Sequence, residues 1–496
     1  MPTIPLPGHA DVGRLKDHAR SIRDQVRAGV PGALALVREH HPRRSDLVSA
    51  EPTFRLADAQ LTVARLHDFP SWPRLVAHLR LVAELGRSPH ELAVGRVLHD
   101  DDERVDELLR LACLTYGSDD PTRVPRAVEL LAAHPHLARA SIHTAAATGD
   151  AAAAATMLDA DASLVRAEGG PFRWVPLLYL TYSRLPVGDA LTTARVLLDA
   201  GADPDAGYLF DGLVPPFTAL TGVFGSGEGD QPPHAHWPEL ARLLLRAGAD
   251  PNDPQTIYNW GLGSLRGDDP AVLELLCEFG FGRGDGGPWK RRLGDSHPTP
   301  AQLMADELAH AARGGLPRRT RLLLAHGADP DSVGDHSAFA GRTAYQAAVE
   351  HGHPEVAELL AAAGADRSSV DGRAVLVGRL LIGDASLDRA AARALRTTEP
   401  GLLHTAAELG RVDAVRLLVG LGWDVNTRRR TTALHEAALR DDRALVEVLL
   451  ALGADPTIRD TSHDGTAAGW ARHLSHDELA DLLDRADPGA GDRGAG

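Results

Sequence analysis

The chain has 496 residues, of which 44% are hydrophobic and 24% charged, and it carries a formal charge of −16. That composition supplies enough apolar surface for a buried core and excludes wholesale disorder. The acidic balance leaves no basic face for phosphates or an anionic membrane, so neither nucleic acid nor membrane is expected as a partner.

The N-terminal Met1-Pro2-Thr3-Ile4-Pro5-Leu6-Pro7 runs into a charged helical stretch, not into an apolar h-region. No run approaches the ~18 apolar residues of a membrane span. Secretion is not indicated, and a cytoplasmic location is the expectation. Cys113 and Cys277 lie far apart, and neither belongs to a Cys-x-x-Cys pair, so no metal knuckle or disulfide framework is expected. Arginines outnumber lysines by fifty to two, Lys16 and Lys290, which reads as coding bias. Residues 1–90 read as a helical module in which Leu61, Phe69, Trp72, Leu75 and Leu79 are the packing anchors.

From about residue 93 to residue 461 one helix pattern recurs. Apolar residues stand eight, five, four and one positions before a glycine, as in Leu240, Leu243, Leu244 and Ala247 before Gly248, or Leu445, Val448, Leu449 and Leu452 before Gly453. This is the i, i+3, i+4, i+7 stripe of one helix face. Val356 to Ala363 before Gly364 and Ala414 to Leu421 before Gly422 repeat it. The glycine fits a helix end, where the chain commonly turns into the left-handed region. A near-verbatim Gly-Ala-Asp-Pro stop follows at Gly201, Gly248, Gly327 and Gly453. Shorter helices open with Thr or Leu-His and paired alanines, most clearly Thr432-Ala433-Leu434-His435-Glu436-Ala437-Ala438. The histidines of these openings, His143, His404 and His435, read as structural groups that bond backbone between neighbouring units.

These strings resemble the ankyrin repeat, a helix-turn-helix-loop unit of about 33 residues. The spacing from Gly422 to Gly453 is 31 and from Gly248 to Gly280 is 32, whereas the 47 from Gly201 to Gly248 includes Gly- and Pro-rich insertions. The resemblance implies an all-α solenoid over residues 91–485, with about ten units that are degenerate near 93–139, 258–287 and 372–399. A helical cap spans Thr466 to Leu483, and residues 486–496 form a disordered tail. Phe54-Arg55-Leu56-Ala57-Asp58-Ala59-Gln60 and Phe69-Pro70-Ser71-Trp72-Pro73 resemble the N-terminal module of a group of actinobacterial ankyrin proteins.

No phosphate-binding loop, His-Glu-x-x-His or nucleophile elbow occurs. Gly261-Leu262-Gly263 and Gly280-Phe281-Gly282 lack the third glycine of a dinucleotide loop, and His234-Ala235-His236 reads as a polar loop. No cofactor, metal or catalytic residue is therefore expected. Residues 171–290 hold 14 of the 22 aromatics. Loop insertions in stacked repeats fall on one face, often the binding face, where Trp and Tyr are enriched at hot spots. The candidate partner-binding residues are Trp174, Tyr208, Phe210, Asp211, Phe217, Trp237, Tyr258, Trp260, Arg283, Asp285 and Trp289. The leading reading is a monomeric protein-binding scaffold of unknown partner. The alternative is a small-molecule or enzymatic pocket in the aromatic-rich middle.

Overall fold

A computed structural model describes residues 11–91, 98–117, 119–227, 229–262, 267–335 and 341–487. The expected tail beyond residue 487 and the end of the Gly261–Arg266 loop lie outside them. The chain divides into two compact units: residues 1–263 with 284–299, and residues 264–283 with 300–496.

The first unit opens with α1 (Val12–Arg27), α2 (Pro31–His40), α3 (Leu56–Leu66) and α4 (Trp72–Leu85). Their apolar stripes close on a core of Leu15, Ile22, Val26, Val37, Phe54, Val63, Leu75 and Leu79. Leu75 and Leu79 are the anchors expected. Phe69 and Trp72 pack on the core half-buried, and Leu61 is half-buried as well.

Helix pairs follow: α5 (Asp101–Ala112) with α6 (Arg123–Ala133), α7 (Ile142–Thr148) with α8 (Ala151–Ala160), and α9 (Pro176–Tyr182) with α10 (Ala190–Asp199). Next come α11 (Ala219–Phe224), α12 (Trp237–Arg246) and α13 (Pro254–Leu262). The first helices stack in the order α5, α7, α9, α11, α13, and the second helices in the order α8, α10, α12. A third-position bond opens several of these helices, as where the Ser141 side chain accepts from the Thr144 N–H at 3.2 Å, satisfying one of the free amides of a helix start.

The second unit holds α14 (Ala271–Glu278), while α15 (Gly287–Leu293) belongs to the first. The second unit continues with α16 (Pro300–Gly314), α17 (Pro317–Ala325), α18 (Ala344–Glu350), α19 (Pro354–Ala362), α20 (Gly372–Leu381) and α21 (Arg389–Thr398). It ends with α22 (Leu402–Glu408), α23 (Val412–Leu421), α24 (Ala433–Leu439), α25 (Arg443–Ala451), α26 (Ala467–His473) and α27 (Asp477–Ala486). Here α16, α18, α20, α22, α24 and α26 stack in sequence order. Gly422 and Gly453 end α23 and the α25 turn at φ of 102° and 92°, values that a side chain would strain. The stripe residues Leu418, Leu445 and Leu449 are fully buried.

Arg411 ties this unit together internally. Its guanidinium donates to the carbonyls of His351 (2.7 Å), Leu381 (3.0 Å) and Gly352 (3.1 Å), and to Nδ1 of His353 (3.1 Å). These acceptors sit at the α18–α19 turn and at the end of α20, so one side chain from the α22–α23 turn reaches two preceding units. The motif histidines do the same on a smaller scale. His143 Nε2 donates to the Ala167 carbonyl at 2.9 Å and His435 Nε2 to the Gly465 carbonyl at 3.1 Å. His404 instead lies 3.4 Å from Glu436.

The helical expectation needs one amendment. The insertion after Gly201 forms a finger, with β2 (Gly207–Phe210) antiparallel to β3 (Phe217–Thr218) and parallel to β1 (Gly86–Arg87). Arg87 holds the edge of the finger. It donates to the carbonyls of Glu84 (2.8 Å) and Gly86 (2.9 Å) and pairs with Glu168 at 2.8 Å.

Candidate functional site

The finger exists because its residues alternate: Tyr208 faces Trp174 while Leu209 faces the other side of the ribbon. On the first side the rings form a continuous stack. Trp174 lies 4.5 Å from Phe172, 4.9 Å from Tyr182 and 5.1 Å from Tyr208, centroid to centroid. Phe217 continues it at 5.7 Å from Tyr208 and Phe210 at 5.1 Å from Phe217, ending on the His90 ring at 4.8 Å. Tyrosine hydroxyls finish the packing by donating to backbone: Tyr182 to Thr218 at 3.0 Å, Tyr116 to Thr221 at 3.0 Å and Tyr179 to Gly169 at 2.8 Å. On the other side Leu209 packs with Trp289 and Leu293 against Leu81, Val82 and Leu85 of α4.

This geometry redistributes the expected partner-binding residues. Trp174, Tyr208, Trp260 and Trp289 are buried, so as core rings they do not present a face to a partner. The physical reason for Trp174, Tyr208 and Trp289 is that an enlarged finger needs its own apolar interior, which these rings fill. Phe210, Phe217 and Trp237 are half-buried, the last against Phe224 at 5.7 Å. Asp211 closes the finger turn at φ 51°, its N–H donating to Arg87 and its carboxylate 3.5 Å from His90. Tyr258 is exposed at 47%. Asp285, also exposed, pairs with Arg291 at 3.0 Å, and Arg283 belongs to the other unit, where it donates to the His326 carbonyl. The residue that composition did not single out is Leu213, 65% exposed at the finger tip beside Asp211.

The loop after α11 is fastened from beneath by Arg184. Its guanidinium donates to the carbonyls of Gly222 (2.7 Å), Pro232 (2.8 Å), Ser183 (3.0 Å) and Thr181 (3.1 Å). Within that loop His234 is buried. Burial and the nearby Arg184 push its pKa down to about 3, and its Nδ1 accepts from the His236 N–H. Among the described residues no group of three or more His, Cys, Asp or Glu is arranged to hold a metal ion. Cys113 and Cys277 are free and buried, and burial raises their thiols to about 12 and about 11, which leaves them unreactive.

Beside the finger lies a partly open cleft, with room inside for about one water-sized group, lined by Asp205, Asp250, Asp253, Thr218, Trp289 and His297. Trp289 Nε1 donates to the Asp205 carbonyl at 2.9 Å, and the Asp250 N–H donates to Asp205 Oδ1 at 2.8 Å. Asp253 accepts from the Thr218 hydroxyl and from the Thr256 N–H at 3.0 Å. Burial, reinforced by Asp203, Asp250 and Asp253, raises the Asp205 carboxyl to about 6.

That shift has a stability consequence. The folded state keeps a proton that the unfolded chain releases near pH 4, so stability falls as pH rises from about 4 through about 6, by at most ~3 kcal/mol. Asp205→Asn keeps the acceptor for Asp250 and removes the charge. Urea unfolding is expected to show the variant more stable than the parent by about 1–3 kcal/mol at pH 8, with a flatter dependence between pH 4 and 6. Identical pH slopes for the two proteins would rule Asp205 out as the source.

Comparison with known proteins adds the repeat type. Residues 372–460 match the model of ankyrin repeats in three copies, and residues 340–372 match that of a single ankyrin repeat. The stretch expected to be degenerate, 372–399, lies inside the first match. Over 75 residues the chain is 39% identical to a putative ankyrin repeat protein of Acanthamoeba polyphaga mimivirus, covering 15% of this chain and 10% of that relative. No helix among the described residues is long and apolar enough to cross a membrane. The helix pairs from α18 through α25 are ankyrin repeats.

Proposed function

We propose that the chain is a non-enzymatic, cytoplasmic scaffold that binds another protein, with the finger of the first unit as its contact element. Ankyrin repeats are generally protein-interaction modules, and that much rests on the matched repeats. The observation that carries the finer reading is the finger itself. A rigid aromatic interior supports an exposed Leu213 with Asp211 beside it and half-buried Phe210 and Phe217 below. A preorganised apolar tip loses little entropy on binding, which favours it as an anchor. Monomeric behaviour and membership among actinobacterial ankyrin proteins belong to the same proposal, the latter resting only on the strings at 54–60 and 69–73.

The small-molecule alternative has weaker support, because the rings of residues 172–217 fill their own space and the cleft beside them admits only a water-sized group at its depth. Proximity labelling in cells of origin tests the proposal. The parent chain is expected to label a reproducible set of proteins that Leu213→Asp with Tyr258→Ala loses by tenfold or more at unchanged melting temperature. An identical set from both chains would overturn it.

A further inference from the structure

The cleft beside the finger has an unusual donor and acceptor balance. Asp205, Asp253 and His297 are all more than nine-tenths buried. Among the described residues no Arg or Lys side chain pairs with Asp205, Asp250 or Asp253, and Lys290 gives its Nζ to the His297 carbonyl. Burial keeps His297 neutral. Its Nδ1 stands 2.9 Å from the Pro298 carbonyl and must donate there, which leaves Nε2 of this cleft-lining residue as a lone-pair acceptor with no donor among the described residues. Asp205 repeats this pattern: Oδ1 takes the Asp250 N–H, and Oδ2 has no partner among the described residues. Asp250 Oδ2 keeps its place because position 287 is glycine, where a Cβ would lie 2.3 Å from it.

A site that is rich in acceptors and negative, with no cation paired to its carboxylates among the described residues, calls for a cation that brings its own donors. The size of the site selects among cations. The inner space holds one water-sized group, which an ammonium matches and a planar five-donor guanidinium exceeds. A divalent metal finds no ligand group among the described residues. We propose that this cleft binds a primary ammonium group, supplied by a lysine side chain of a protein partner or by a free alkylamine. Only the lysine source rests on the protein-binding reading above.

Calorimetric titration of the full chain with butylammonium chloride tests this. Saturable binding of one equivalent is expected, at least tenfold weaker in Asp205→Asn and in His297→Phe, unchanged in the exposed control Asp477→Asn, and absent with uncharged N-butylacetamide. Each variant is first shown to melt cooperatively. No saturable binding by the parent, or equal affinity in parent and Asp205→Asn, would overturn the proposal. An acetyl-Gly-Lys-Gly-amide peptide that binds tenfold more tightly than butylammonium identifies a lysine as the occupant, and equal affinities identify a free amine. Leu213-dependent partner labelling without amine binding removes this inference alone, and amine binding without such labelling removes the protein-binding reading alone.

Discussion

Arg411→Ala is expected to lower the stability of the second unit by about 3 kcal/mol, since it strips donors from acceptors that folding has partly withdrawn from water. Four acceptors lose their partner at once: the carbonyls of His351, Gly352 and Leu381, and Nδ1 of His353. An orphaned buried acceptor costs about 1–3 kcal/mol, so even partial hydration of this set leaves a large loss. Arg411→Lys is expected to recover little, because a single ammonium cannot reach acceptors two units apart in the way a forked guanidinium does. Guanidinium-free chemical denaturation of both variants, read by far-ultraviolet circular dichroism, decides the matter. A lysine variant as stable as the parent would mean that charge alone, and not the fork, is what the site requires.

Trp174→Ala should cost about 3–5 kcal/mol, the range for deleting a large buried aromatic ring. Trp174 is the ring on which Phe172, Tyr179, Tyr182 and Tyr208 all pack. Its loss removes the common wall of the α9 helix and the finger, so the damage is expected to be local before it is global. Hydrogen exchange should rise first in residues 207–218 while the amides of α22 to α26 keep their protection. Uniform loosening of both regions would contradict that assignment.

The two kinds of region differ in how far they can be read from the chain. Leu445, Leu449 and Gly453 announce their roles because a helix imposes its period on residues close in sequence, and a backbone at positive φ has a strong preference for glycine. Two of the motif histidines, His143 and His435, are legible for the same reason, each bonding a carbonyl of the following unit, whereas His404 turns to Glu436. The finger is not. Gly207–Phe210 pairs with nearby Phe217–Thr218 on one edge, but on the other with Gly86 and Arg87, which arrive from 121 residues earlier in the chain, and no local period records that second pairing. Aromatic content pointed to the segment that forms the finger, yet residue type does not say which side of a ribbon a ring takes. Trp174, Tyr208, Trp260 and Trp289 therefore went inward, while Leu213, an ordinary residue in composition, came out at the tip. The cleft was harder still, for Asp205 and His297 stand 92 positions apart. The one available hint was an acidic residue one or two positions after two of the stop signals, as in Asp203-Pro204-Asp205 and Asp250-Pro251-Asn252-Asp253.

The division of the chain carries a practical corollary for dissecting it. Residues 264–283 belong to the second unit although 284–299 return to the first, so the backbone crosses between them three times. No single cut, by a protease or by a gene truncation, can release either body whole. A fragment ended before residue 284 forfeits Trp289 and with it the pillar under the finger, and one begun at residue 300 lacks α14, the neighbour of α17. Halves obtained in that way should expose apolar surface and aggregate, whereas co-expressed pieces that respect all three crossings can each complete their own interior.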